Sequence, residues 1–179
     1  MEMKEKKLGG KEIYRGRIVN LYVDDVELPD GSRSKREVVR HCLASAILAI
    51  NDKDEVLLER QYRYPYDEII TEIPAGKCDP GEDPMETAKR ELEEETGYRS
   101  EEMIYLGKIY PTCAYTDEVI HIFLAKNLVR THQHLDDGES LEYDFVPMAE
   151  LRRAIQENRI PDAKTLAALT FYFSRKESK

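Results

Sequence analysis

Three glutamates, Glu91, Glu94 and Glu95, crowd a short stretch of this chain at a spacing that can do chemistry. At about 100° per residue, an α-helix places all three within an arc of roughly 100°. Leu92 falls on the adjacent apolar side and Glu93 points elsewhere. Like charges three and four residues apart repel by a few tenths of a kcal/mol per pair, so a helix that keeps them requires a cation among them. Hard oxygen donors converging on one point select Mg²⁺, Mn²⁺ or Ca²⁺. Ala75-Gly76 lies shortly before, on a tight loop where a residue without Cβ lets the backbone approach a ligand. Glu82 and Arg90 are expected to pair and fasten that loop to the helix, with Arg90 itself off the metal-facing arc. The competing reading is a plain solvated face, the usual fate of a charge run.

The elements that must position these groups can be read around them. Asp83 to Thr96 is the clearest helix: Asp83 can cap it, Pro84 suits the first turn and Glu86 completes a capping box. Gly97 is a natural stop, and Met85, Ala88 and Leu92 form the stripe that packs on a sheet. Ahead of it the chain reads as β structure. Ile18 to Leu28 and Arg36 to His41 form a hairpin about Pro29-Asp30-Gly31, and Ala44 to Ile50 is a buried strand. Glu55 to Gln61 follows, then two short strands flanking Pro65, the second from Ile69 to Ile73. Strands are expected again at Met103 to Tyr110, Val119 to Ala125 and Tyr143 to Val146, with a polar loop from Arg130 to Ser140. Two helices, Pro147 to Glu157 and Pro161 to about Ser174, close the chain, the second burying Leu166, Leu169 and Phe173. Strands around one central helix predict a mixed sheet covered by helices on its faces.

Composition limits the partners. The 179 residues carry a formal net charge of −9, which argues against nucleic acid, since polyanions are gripped by basic patches. An acidic protein still binds phosphates where a divalent cation reverses the sign locally. Cys42, Cys78 and Cys113 have no disulfide or zinc spacing, the start has no apolar leader, and the longest apolar run, Leu43 to Ile50, is too short to span a bilayer. A cytoplasmic protein with no membrane partner is expected.

The order Gly76, five residues, Glu82, seven residues, Arg90-Glu91-Leu92-Glu93-Glu94-Glu95-Thr96-Gly97-Tyr98 matches the Nudix box G-x5-E-x7-R-E-U-x-E-E-x-G-U, where U is bulky and apolar. Chance coincidence of the seven fixed positions is about 10⁻⁵, and Tyr98 is the only departure inside the box, where an aliphatic residue is commoner. The resemblance spans nearly the whole chain and is closest to bacterial ADP-ribose pyrophosphatases. It includes Leu21 to Pro29, Lys35 to His41, Gln61-Tyr62-Arg63-Tyr64-Pro65, Glu72-Ile73-Pro74-Ala75-Gly76, Asp117 to Ala125, and Asp162-Ala163-Lys164-Thr165.

That resemblance implies an α/β fold, the Nudix α/β/α sandwich, over residues 43–179. It also implies an N-terminal β-hairpin region, 1–42, exchanged between the subunits of a homodimer. It implies Mg²⁺, with Mn²⁺ as the alternative, held by the Ala75 carbonyl, Glu91 and Glu95, with Glu94 a further ligand or its support. Glu139, in a later loop, is the candidate base, with Asp137 as fallback. Arg36 and Arg63 would hold the diphosphate or the terminal ribose, and Glu72 would contact the sugar. The implied reaction is metal-dependent hydrolysis of a nucleoside-diphosphate sugar, with ADP-ribose giving AMP and ribose 5-phosphate.

Two departures bear on the substrate. The family's Ser-Pro-Gly loop, whose proline marks ADP-ribose preference, reads Thr112-Cys113-Ala114, and the Pro-Gly after the strand histidine reads Cys42-Leu43. GDP-mannose, a UDP-sugar or a dinucleoside polyphosphate are therefore alternative substrates. A non-catalytic nucleotide-sensing Nudix module and a structural Ca²⁺ helix are the readings outside catalysis.

Overall fold

The computed structural model describes residues 2–135, 138 and 140–177, which fall into two compact units. The first gathers residues 1–42 and 110–119. Its centre is an antiparallel meander of β1 (Lys6–Arg15), β2 (Asn20–Glu27) and β3 (Arg33–Arg40), in the order β1-β2-β3. The expected two-stranded hairpin is thus three-stranded. The added strand, β1, is exposed along nearly its whole length, so it lacks the apolar alternation by which a strand is recognised. Asp24 and Val26 are the buried residues of this sheet, and Asp24 is held by Lys7 at 2.6 Å and Arg40 at 3.2 Å.

The second unit, residues 43–109 and 120–179, contains β4 (Leu43–Ala49), β5 (Glu55–Arg63), β6 (Glu68–Glu72), β7 (Ala75–Lys77), α1 (Pro84–Thr96), β8 (Tyr98–Ile109), β9 (Val119–Arg130), β10 (Leu141–Pro147), α2 (Met148–Gln156) and α3 (Ala163–Glu177). The strands form two sheets, β7-β4-β9-β8 and β10-β5-β6. Strand alternation sends neighbouring side chains to opposite faces, and it divides the core in two. Ala46, Leu48, Leu58, Ile122 and Leu124 pack with Met148 and Leu151 of α2 and with Ala168, Leu169 and Tyr172 of α3. Ile47, Ala49, Leu57, Phe123 and Ala125 pack with Ala88 and Leu92 of α1. This is the α/β sandwich with a mixed sheet that the sequence leads one to expect, with α1 on one face and α2 and α3 on the other.

Local details differ from the sequence reading. The buried stripe of α3 runs through Thr165, Ala168, Leu169 and Tyr172, while Leu166 and Phe173 are half-buried. β5 continues unbroken to Arg63, and Pro65 lies in the turn to β6, which Asp67 completes at φ 54°. β8 and β9 extend past their apolar centres as a two-stranded ribbon as far as the Tyr98–Arg130 pair. No helix among the described residues is long and apolar enough to cross a membrane.

Candidate metal and diphosphate site

The box helix is fixed at both ends. Asp83 Oδ1 accepts the Met85 amide at 2.8 Å, and Pro84 opens the first turn. Glu86 pairs with Lys89 Nζ at 2.7 Å, so the reciprocal half of the expected capping box is replaced by an i,i+3 ion pair. At the far end Gly97 takes the left-handed conformation, φ 68°, and its amide donates to Glu93 O at 2.8 Å. The segment after β9 then satisfies the last free carbonyls. His134 N donates to Glu94 O at 3.0 Å, Gln133 Nε2 to Glu95 O at 2.6 Å, and Thr131 N to Gly97 O at 2.7 Å. Part of the polar loop is therefore a cap for α1.

Between these ends the acidic face forms as its spacing predicts. Glu95 is 6% exposed, and the Glu91 and Glu94 side chains are 13% and 26% exposed. Glu93 turns away to Arg99 at 2.7 Å. The Ala75-Gly76 backbone lies against two of these carboxylates. Glu95 Oε2 accepts the Ala75 amide at 3.1 Å, and a Cβ built on Gly76 would collide with the Glu91 carboxylate. β7 pairs Gly76 with Ser45 of β4, and Ser45 Oγ donates to Pro84 O at 2.6 Å, so loop, sheet and helix are stitched together.

Arg90 organises the same region, and here the structure corrects the sequence reading. Its Nε and Nη2 grip both oxygens of Glu82, at 3.1 and 3.0 Å, and Nη2 also donates to Lys77 O at 3.1 Å. This is the expected loop clamp. Its Nη1, however, lies between Glu91 Oε1 at 2.7 Å and Glu94 Oε2 at 2.9 Å, so Arg90 borders the acidic arc instead of avoiding it. Arg90 precedes Glu94 by four residues on nearly the same side of the helix, so the long guanidinium reaches it as an i,i+4 partner and meets Glu91 beside it. The Arg90 guanidinium, with help from the Asp79 amide, holds the Glu82 carboxyl at about 2, and Glu82 first among its partners raises the Arg90 pKa.

Among the described residues, no three Asp, Glu, His or Cys side chains converge as they stand on a common metal position. The donor set nevertheless fits a hard divalent cation: the Ala75-Gly76 backbone is wedged between two carboxylates, with a third one turn away, and all the donors are oxygens. Arg90 Nη1 bridges Glu91 and Glu94 in this arrangement.

The other expected residues lie as follows. Arg63 and Glu72 are joined, with Arg63 Nε and Nη2 on Glu72 Oε1 at 2.7 and 2.6 Å. Glu72 is 3% exposed, and its Oε2 is bonded by Lys164 Nζ. Arg36 sits on β3 in the first unit and bonds Glu5, Ser34 Oγ and its neighbour's carbonyl. Glu139 and Asp137 lie outside the described residues. Sequence reasoning gave no part to Glu59, which is buried at 3% exposure opposite Glu72 on β5, or to Lys164 and Thr165. Only the family resemblance of the Asp162-Ala163-Lys164-Thr165 stretch marked that last region.

Comparison with known proteins identifies the family. The NUDIX domain model matches residues 40–169, and that of the nucleoside diphosphate sugar hydrolase N-terminal domain matches residues 5–39. The chain is 39% identical to an ADP-ribose pyrophosphatase of Bacillus subtilis, over 94% of this chain and 92% of that one. It is 44% identical to a methanol dehydrogenase activator of Bacillus methanolicus, over 93% and 91%. A solved structure, the crystal structure of an ADP compounds hydrolase, superposes with a TM-score of 0.88 at 25% identity, covering 98% of this chain and 95% of the other. Box, fold and matched domains together place this chain in the Nudix hydrolase family, whose members generally require a divalent metal.

Proposed function

We propose that the protein hydrolyses the diphosphate linkage of a nucleoside-diphosphate sugar, ADP-ribose first among them, to AMP and ribose 5-phosphate. The observation that carries this reading is the Ala75-Gly76 backbone wedged between Glu91 and Glu95 on a capped helix. The full-length similarity to proteins named for ADP-ribose or ADP compounds supports the substrate.

The Ala75 carbonyl, Glu91 and Glu95 hold Mg²⁺, or Mn²⁺ in its place, with Glu94 as further ligand or support. When bound, the cation draws charge from the phosphates and makes water a better nucleophile. Arg63 lies against the diphosphate as a charge-assisted donor, and Arg36 and Glu72 complete substrate binding. Arg90 and Glu82 keep the loop and helix in register and set the spacing of the carboxylates. Glu139 orients or deprotonates the attacking water. The protein works as a cytoplasmic homodimer, with residues 1–42 supplying the subunit contact and residues 43–179 the hydrolase.

A screen of nucleoside-diphosphate compounds, with phosphatase coupling and phosphate detection, tests the reading. Glu95→Gln keeps the fold and lowers turnover on the preferred compound by about 10³-fold, the scale of losing one preorganised charged group. Near-normal turnover of Glu95→Gln overturns the assignment.

A second reading, another nucleoside diphosphate as preferred substrate, is favoured by Thr112-Cys113-Ala114 and Cys42-Leu43, which depart from the ADP-ribose pattern. The same screen decides it by the rank of ADP-ribose against GDP-mannose, UDP-sugars and dinucleoside polyphosphates.

A further inference from the structure

Behind the Arg63–Glu72 pair stands a buried cation that the proposed chemistry leaves unused. Lys164 is 8% exposed. Its Nζ donates to Glu72 Oε2 and, at 3.0 Å, to Asp162 Oδ1. Asp162 in turn caps α3: its Oδ2 accepts the Thr165 amide at 2.9 Å and the Thr165 hydroxyl at 2.6 Å. Thr165 Oγ1 also accepts the Ile73 amide at 3.0 Å. The N-terminus of α3 therefore grips the chain at two neighbouring points, the Glu72 side chain and the Ile73 backbone, just before Ala75.

An ordinary lysine stays in water, and burying its charge is unfavourable unless it is paired. Here Glu72 and Asp162 pair with Arg63 and Lys164, beside Glu59, which is buried opposite Glu72 on β5. The arrangement is also directional. Arg63 spends Nε and Nη2 on one oxygen of Glu72, while its Nη1 has no protein partner among the described residues and its side chain is 41% exposed. Lys164 holds the other oxygen and so stops the carboxylate turning. A carboxylate fixed at both oxygens fixes a guanidinium bonded through two nitrogens, and the free edge of that guanidinium then faces an incoming anion in one orientation.

We propose that Lys164 is a positioning residue for the diphosphate subsite, acting through Glu72 to hold Arg63 ready to bind phosphate. The proposal rests on the reading of Arg63 as a phosphate ligand. Lys164 touches no substrate itself, and its effect is on binding: loss of its charge raises KM and Kd while leaving the step at phosphorus almost as fast.

The test combines affinity with a substrate-free readout. The Kd of α,β-methylene-ADP-ribose is measured calorimetrically with Mg²⁺ for the wild type, Lys164→Met, Lys164→Arg, Arg63→Ala and the Arg63→Ala/Lys164→Met double variant, and KM and kcat are measured on ADP-ribose. Lys164→Met raises Kd and KM about tenfold with kcat within threefold, and Lys164→Arg recovers most of the loss. The double variant is no weaker than Arg63→Ala alone, because the lysine has nothing left to act through. Additive losses, or an unchanged Kd, overturn the proposal. Should Lys164→Met fail to fold, Lys164→Gln is read in the same way.

The Arg63 Nε–H resonance, assigned by its loss in Arg63→Ala, reports the relay without ligand. It shifts and broadens in Lys164→Met and returns in Lys164→Arg, and an unmoved resonance overturns the relay. A wild type that neither binds nor hydrolyses any nucleoside diphosphate defeats the proposed function instead and leaves this resonance to decide the relay.

Discussion

Gly76→Ala isolates the contact on which the site depends. Gly76 has no left-handed φ, so alanine adds no backbone strain, and the whole perturbation is one methyl group. That methyl lands on the Glu91 carboxylate, which has to retreat by roughly 1.5 Å to reach an ordinary carbon contact. Glu91 is the flexible end of a side chain, yet it cannot retreat freely, because Arg90 Nη1 holds it at 2.7 Å and Arg90 is in turn gripped by Glu82. Overpacking of this kind costs about 1–2 kcal/mol, a loss of roughly 2–8 °C in melting temperature for a chain of this size. The functional loss is larger. A metal ligand displaced by about 1 Å lowers turnover about 10²-fold and moves half-activation by Mg²⁺ to higher concentration. The assay is a thermal melt beside initial rates on ADP-ribose over a Mg²⁺ series. A variant that melts normally, turns over within threefold of the wild type and keeps its Mg²⁺ dependence refutes the claim that Gly76 makes room for a working Glu91.

Two further perturbations probe the clamp. Arg90→Ala strips the bonds to Glu82, Glu91, Glu94 and Lys77 O together, leaving three carboxylates facing one another. Because the arginine is 31% exposed, the stability loss is screened to about 2 kcal/mol, and urea midpoints for Arg90→Ala and Arg90→Lys measure it; Mg²⁺ restores part of the loss by taking over the unpaired charges. Glu82 gives a pH signature of known sign. Its folded pKa, about 2, lies below the 4.5 of an ordinary glutamate, so its contribution is complete above 4.5 and fades as pH falls toward 2. The wild type therefore loses urea resistance more steeply than Glu82→Gln across that window, and parallel curves would show that the Arg90 pairing is not what holds Glu82 ionised.

The half of the molecule built on local periodicity is legible in the sequence. Asp83, Pro84 and Gly97 bound α1 within a residue because caps act through neighbouring backbone groups. The i,i+3,i+4 spacing is enough to put Glu91, Glu94 and Glu95 on one side. What misled was side-chain reach. Arg90 stands at i,i+4 from Glu94 and Glu86 at i,i+3 from Lys89, pairings that the helical spacing permits, and the rotamers decide that Arg90 meets Glu91 as well and that Glu86 turns to Lys89. β1 escaped for another reason: Lys6 to Arg15 buries almost nothing, so its pairing with β2 rests on backbone bonds and on polar contacts such as Lys7–Asp24 and Tyr22–Glu12, which leave no apolar alternation to read.

The substrate side is illegible for a reason of distance along the chain. Glu72 and Lys164 are 92 residues apart, as are Ile73 and Thr165. No window of sequence holds both members of either pair. Read alone, Lys164 is a surface lysine in the first turn of a helix, where the dipole disfavours a cation. Its burial makes sense only once β6 brings Glu72 beneath it, and the Asp162 cap, by satisfying the Thr165 amide, leaves its second oxygen for that lysine. The same logic orders the two halves of the site. The residues proposed to hold the metal sit on one helix and the adjoining Ala75-Gly76 segment and are readable as a motif, whereas Arg63 of β5, Glu72 of β6 and the Lys164 of α3 that braces them exist as a group only in the folded protein. On the proposed function, substrate choice in this chain responds to changes at those scattered positions, while the box by itself marks only the family and its general need for a divalent metal.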